Sequence, residues 1–404
     1  MARSTRDATR AADAATGWVA QLRSGGVEPW TSWRERSGAP LPDRAARVPG
    51  AQQLELLRRL NLFAQSIGTR APAVLVERVL AASAPGRGIP DLPLVGATSL
   101  PHRFGPHPVD PETLAVDELV RVASGLIADD LATAQVPTPP VPPLPIRLLR
   151  ERRLPWARGY RLAGDPWLMW PALEDLVRRG RGPGGRRPQW VVLGTDLATM
   201  LAHAWTVRSF DTGAIGWDDW LVGVRSTRRL PRRADVLAAV RRSVAQVGAD
   251  RVTLVLDPAE LATVLGARHL SAPPRTLGAN AADLGRRVAA PLGGLVLPER
   301  RSELLRTVLL PRLIGVGEGG APLAVPERHE HWVTRRATRM RDGVVASGAR
   351  IVGDPDVLLR GPTPGGATPD ADGILELALR LLLDGPAPTE PTGSRTNQKG
   401  DRPR

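Results

Sequence analysis

The sequence contains no cysteine. That excludes disulfides, thiolate metal sites and a cysteine nucleophile, and it says nothing about compartment. Lysine is nearly missing as well. Lys399 is the only one in 404 residues, so the cations of the chain body are all arginine. No apolar run approaches the roughly 20 residues of a membrane helix, so no membrane insertion is expected. The N-terminal stretch MARSTRDATRAADAATGW lacks the apolar core of a secretory signal, and a cytoplasmic location is the expectation.

What is present is a chain that can fold. Hydrophobic residues make up 42% of the sequence, and the length suggests two or three structural units. The formal charge is +14. Arginine is the better bidentate partner for phosphate or sulfate, so this excess fits an anionic ligand, a nucleic acid or a solvated surface. Abundant Ala, Arg, Gly and Pro with almost no Lys also fits a GC-rich coding genome, which would make much of the arginine codon bias.

Proline and apolar spacing divide the chain. Residues 1–135 read as a helical N-terminal region, with helices over Thr5–Leu22, Pro49–Ile67, Ala71–Ala82 and Glu112–Leu131. In the second of these, Leu56, Leu57, Leu60, Phe63, Ala64 and Ile67 form the expected buried stripe, with Arg58 and Arg59 off it. Trp30 and Trp33 could stack on a sugar or base, or anchor an N-terminal arm. Residues 136–150, opening with VPTPPVPPLP, read as an extended linker. Residues 151–384 read as an α/β domain, and 385–404 as a polar, disordered tail.

The α/β domain is organised around Gln189–Asp257. Trp190–Leu193 and Val252–Leu256 are short apolar runs rich in β-branched residues. Two helical stretches separate them, one starting at Leu197 and one over Arg233–Val247. Strand, helix, helix, strand implies parallel pairing, because antiparallel neighbours need only a tight turn. Gly159–Gly164 and Arg350–Gly353 are further short strands, and Pro166–Arg179, Asp283–Ala290, Glu327–Ala346 and Ile374–Leu383 are further helices. A helix over Arg300–Leu310 is expected to stop at Pro311. In an open parallel sheet the ligand crevice lies beyond the C-terminal strand ends, here Gly194–Asp196 and Asp257–Pro258.

Candidate chemistry gathers there. Asp196, Thr199 and His203 share one helix face by spacing, opposite the stripe Leu197, Met200, Leu201, Ala204 and Trp205. His203 beside Asp196 could be a general base for an acceptor hydroxyl; an ordinary polar outer face with a cap residue is the other reading. Arg208 and Ser209 follow on the same element and could hold an anion, or form a solvated last turn. Trp217–Trp220, WDDW, could bind a carbohydrate or cover a core edge. His102 and His107, and likewise His329 and His331, have too few acids or the wrong spacing for a metal, so no metal site is expected.

The order of these elements resembles the C-terminal portion of actinobacterial sulfotransferase-like proteins of the P-loop class. VVLGTDLATMLAHAW is followed by WDDWL, DRVTLVLDP, TLGANAADL, an LLR-containing helix, PERHEHWVTRRATRM and GARIVGDPDVLL, which together cover about Trp190–Leu359. The resemblance implies a mainly parallel sheet flanked by helices in three layers. It implies transfer of a sulfuryl group from PAPS to a hydroxyl or amine, here a carbohydrate-type or other hydroxyl acceptor; from their positions after the strand and on the helix, Thr195, Arg208 and Ser209 are the candidates for holding the cofactor. The family's Lys-Ser/Thr-Gly-Thr phosphate loop has no counterpart, and Thr195 stands where the family's 3′-phosphate-binding arginine precedes the aspartate matched by Asp196. These departures point to a relative without catalysis or to a site rebuilt with arginine. A non-enzymatic binding or scaffold protein with a protein partner is the alternative. Nucleic acid ranks behind both, because no aromatic-basic motif of a known type is present.

Overall fold

A computed structural model describes residues 14–37, 48–82, 91–97, 106–136, 159–185, 187–317, 320–361 and 365–385. The linker expected at 136–150 therefore lies outside the described residues except for Val136, the tail expected at 385–404 does so beyond Gly385, and His102 lies outside them too.

The described residues form an α/β protein, mostly helical, with one small four-stranded sheet. Strands β1 (Tyr160–Gly164), β2 (Gln189–Leu193), β3 (Val252–Val255) and β4 (Arg350–Val352) pair in that spatial order. Every pairing is parallel, with Trp190 opposite Val252 and Val192 opposite Leu254. The helices are α1 (14–23), α2 (Trp30–Ser37), α3 (Ala51–Ser66), α4 (Ala73–Ala81), α5 (Val116–Thr133) and α6 (Pro166–Arg178). Then come α7 (Leu197–Asp211), α8 (Trp217–Ser226), α9 (Val236–Val247), α10 (Ala279–Leu295), α11 (Pro298–Val316 in three consecutive pieces), α12 (Glu327–Val345) and α13 (Ala371–Leu383).

Parallel strands buried on both faces read as nearly continuous apolar runs, and the two central strands do, whereas the outer strands β1 and β4 carry the exposed Arg161 and Arg350. Alternate residues go to opposite faces. Val191, Leu193 and Val255 pack with Leu168, Ala172 and Leu176 of α6. Val192, Val252 and Leu254 join the larger core with Val236, Ala239 and Val240 of α9. That larger core is continuous with the N-terminal helices, through Trp18, Leu54, Leu57, Val120 and Ile127. Helix α5 lies against α10 and α13. Trp30 is buried against Trp18 at 5.2 Å between ring centroids, and Trp33 donates to the Ala14 carbonyl, so this pair anchors the N-terminal arm.

Two local expectations are corrected. Helix α3 is buried nearly all round, so Arg58 lies inside, held by Glu55 at 2.6 and 2.7 Å, whereas Ile67 is exposed. The i,i+3 carboxylate lets an arginine enter the interior without leaving an uncompensated charge. Pro311 does not end its helix. A π turn over Leu305–Leu309 precedes it, and the helix continues over Leu310–Val316. The wider turn relieves the clash and the missing donor that a proline brings to an α-helix.

His329, on the first turn of α12, is buried, with Nε2 at 3.3 Å from Asp218 and Nδ1 without a hydrogen-bond partner. Burial, reinforced by the Arg328 and Arg225 guanidinium groups, holds its imidazole below the ordinary histidine range. The neutral ring is therefore the folded form. The unfolded chain takes up a proton near pH 6.5, so stability is full above that pH and falls as pH drops towards the lower folded value. Thermal melts at descending pH should show the wild type losing more than His329→Gln below about pH 6.5. Parallel profiles for the two proteins would remove His329 from this account.

Candidate functional site

Each strand ends in the same chemistry. Asp165 follows Gly164 at the end of β1, Gly194–Thr195–Asp196 follows β2, Leu256–Asp257 follows β3 and Gly353–Asp354 follows β4. Each aspartate caps the helical turn after it: Asp165 accepts from the Trp167 N–H, Asp196 from Thr199, Asp257 from Ala259 and Asp354 from Asp356, all at 2.8–3.0 Å. Proline follows three of the four and fixes φ at the first helical position.

The turn after β1 carries more. Gly164 has φ +100°, and a Cβ there would sit 2.0 Å from the Leu193 carbonyl oxygen. Only glycine lets β1 end this close to β2. The next residue, Asp165, is fully buried and uses both oxygens. Oδ1 caps α6, and Oδ2 lies 2.6 Å from Nδ1 of His203 on α7. On the far side of the ring, His203 Nε2 lies 3.0 Å from the Thr276 hydroxyl. An ionised carboxylate only accepts, so Nδ1 carries a proton towards Asp165, and in the neutral ring the Nε2 lone pair faces the hydroxyl. The Trp167 indole stacks on the imidazole at 5.3 Å and 13°, and its own N–H donates to the Pro274 carbonyl. His203 is 3% exposed, but Thr276 is exposed, so the basic nitrogen meets the surface at that hydroxyl.

The loop carrying Thr276 is tied down along its length. Ser271 N–H donates to Asp175 at 2.6 Å, and Ser271, through its side-chain hydroxyl first and this backbone bond second, holds the Asp175 carboxyl below the usual carboxylate range against the effect of burial. Arg181 donates to the Leu265 carbonyl at 2.8 Å. Two residues beyond Thr276, Gly278–Ala281 line a cavity of about 290 Å³ whose polar groups include Asn280, Glu376 and Arg380.

The residues expected at the site are only partly brought together. His203 is not on a polar outer face: every residue of α7 from Met200 to Val207 is buried. Its acid is Asp165, not Asp196, which serves as the cap of α7. Thr195 lies beside that cap, with its hydroxyl 3.4 Å from Asp196. Arg208 and Ser209 sit at the opposite end of α7, on the order of 20 Å along the axis from Thr195. Arg208 is exposed, while Ser209 is buried with its hydroxyl turned back to the Trp205 carbonyl. These three do not form one pocket. Trp217 and Trp220 are stacked and buried, which makes WDDW a core edge. Among the described residues no cluster of metal-ligating side chains occurs, and no helix is long and apolar enough to cross a membrane.

PAPS, the donor implied by the family resemblance, needs free N–H groups or cations for its phosphates and sulfate. At all four strand ends a helix-start N–H is already bonded to an aspartate, and none of the four turns supplies an arginine or lysine. The residues at these turns do not fit the group. In the Gly- and Arg-rich segment before β2, Gly184 N–H is bonded to the Tyr160 carbonyl and Arg181 reaches Leu265, so these two groups are already engaged. Comparison with protein-family models, with curated proteins and with solved structures finds no match to this chain.

Proposed function

We propose that this chain is a hydroxyl-directed transferase, a divergent sulfotransferase-like α/β protein that has a general base but not the family's donor cradle. The observation that carries this reading is the buried Asp165–His203 pair, with Nε2 held 3.0 Å from an exposed hydroxyl at the C-terminal edge of a parallel sheet. An acceptor hydroxyl taking the place of Thr276 Oγ1 would give its proton to Nε2, while Asp165 holds the ring in the correct tautomer and stabilises the imidazolium. The acceptor class is carbohydrate-type, in keeping with the Asn280, Glu376 and Arg380 groups of the neighbouring cavity. The test is a panel of sugar acceptors with sulfuryl, phosphoryl and acyl donors, together with calorimetry against PAPS and 3′,5′-ADP. Product formed by the wild type supports the reading, and tight PAPS binding would restore the donor site that the strand ends argue against. No turnover with any pair would sink it.

A second reading is a binding or scaffold protein, and a specific observation favours it. The bonds from Asp175 to Ser271, Trp167 to Pro274 and His203 to Thr276 together fasten one loop to α6 and α7. On that reading the Asp165–His203 pair is a structural tie, and removing it changes stability alone.

A further inference from the structure

Helix α12 carries Trp332, Arg335, Arg336 and Arg339 at i, i+3, i+4 and i+7, a spacing that places all four along one face. The local sequence gives these arginines little acid to pair with. Arg339 lies four residues from Arg335 and three from Arg336, so like charges are adjacent. Asp342, the one carboxylate within reach of Arg339 by helical spacing, is paired with Arg341 at 2.8 Å. Asp218, on the facing helix α8, is paired with Arg328. Among the described residues neither Arg335 nor Arg339 has an ion-pair partner.

Across from this face lie Arg225, in the last turn of α8, and Arg228, in the turn that follows. Together the five arginines and Trp332 line a cavity of about 430 Å³. Its geometry is held from the backbone. Arg228 is the one described non-glycine residue at positive φ, at 55°, and Arg336 donates to its carbonyl. Arg225 donates to the Arg328 carbonyl at 3.3 Å, joining α8 to the start of α12. A left-handed backbone at an arginine is costly and persists only where the surroundings impose it. Trp332 is buried beneath the arginines rather than offered as a stacking platform.

The geometry points to a binding site for a small polyphosphate anion, inorganic or as the phosphate chain of a nucleotide. Five guanidinium groups converging without acids repel one another, and a multiply charged anion removes that repulsion through bidentate contacts. A concave pocket suits a compact ligand. A nucleic-acid strand instead requires an extended basic track with exposed aromatic faces, and Trp332 is not exposed. The site is separate from the Asp165–His203 pair and does not depend on the transferase reading.

The experiment is calorimetric titration of the full chain with sodium tripolyphosphate, orthophosphate, ATP and a single-stranded DNA oligonucleotide. Tripolyphosphate should bind about tenfold or more tightly than orthophosphate, and its affinity should drop steeply between about 50 mM and about 500 mM salt. Equal affinity for ATP assigns recognition to the phosphate chain alone, whereas tighter ATP binding assigns the nucleotide as the source; both support the site. The double variant Arg335→Glu/Arg339→Glu should lose about tenfold or more in affinity. Arg241→Glu/Arg242→Glu, an equal charge change on exposed positions of α9, should stay within about twofold of wild type. All four positions are exposed, so melting curves should stay close to wild type. Absence of tripolyphosphate binding, equal loss in both double variants, or an oligonucleotide that outcompetes tripolyphosphate at equal phosphate concentration would overturn the proposal.

Discussion

Replacing His203 by Gln should lower turnover by about 10²–10⁴-fold, the usual contribution of a positioned general base, once a donor and acceptor pair has been found. The loss should fall on the rate of the chemical step, because the ring is buried and meets substrate only through Nε2. Asp165→Asn should act through His203. An amide at that position can present its NH₂ to Nδ1, which pushes the proton to Nε2 and leaves no lone pair towards the hydroxyl. Its activity loss should approach that of His203→Gln, and the double variant should cost little more than either single one, because the two residues act as a unit. Thr276→Val separates the readings. On the transferase reading Thr276 holds the place of the acceptor, so its hydroxyl can be removed with at most a modest loss of activity. The structural-tie reading expects all three variants to lose only melting temperature.

The centre of the sheet was legible in the sequence because buried parallel strands leave short apolar runs, and the strands Gln189–Leu193 and Val252–Val255 lie where the runs Trp190–Leu193 and Val252–Leu256 are. The helix pattern between them gave the parallel direction. The acid of the site was not legible. Asp165 is 38 residues from His203, and only the pairing of β1 with β2 brings them together. Thr276 is 73 residues away, on a loop with no periodic pattern. A signal for the burial of His203 was present and was overridden by the spacing of Asp196, Thr199 and His203. LATMLAHAWTVRSF has almost no polar face, and a helix that is apolar all round belongs in a core. A histidine there must find partners, since an unpartnered buried ring is costly. The arginine pocket was half legible: the α12 stripe is in the sequence, but Arg225 and Arg228 join it only through the packing of α8 on α12.

The helical side of the molecule should be most sensitive at Asp283. Its carboxylate is 3% exposed on α10 and is gripped by Arg286 at 2.5 Å and by Arg287 at 2.7 Å, while Arg287 also reaches Asp117 on α5 at 2.7 Å. Burial alone would raise the Asp283 carboxyl, but the two guanidinium groups outweigh it and hold the group below the usual carboxylate range. Asp283→Ala removes the anion and leaves two cations facing a buried space. Breaking a buried pair in this way costs about 3–5 kcal/mol, and the lower end applies here because both arginines can turn partly to water. Urea unfolding at neutral pH should show that loss, whereas Asp117→Ala, at the exposed end of the same chain of charges, should cost about 1 kcal/mol or less. Because the folded carboxyl titrates below the unfolded one, its contribution is fully present above about pH 4 and is lost as pH falls through the lower folded value. The gap between wild type and Asp283→Ala should therefore stay constant from neutral pH down to about pH 5 and close under stronger acid. A gap that persists unchanged in acid would mean that Asp283 acts through shape rather than charge.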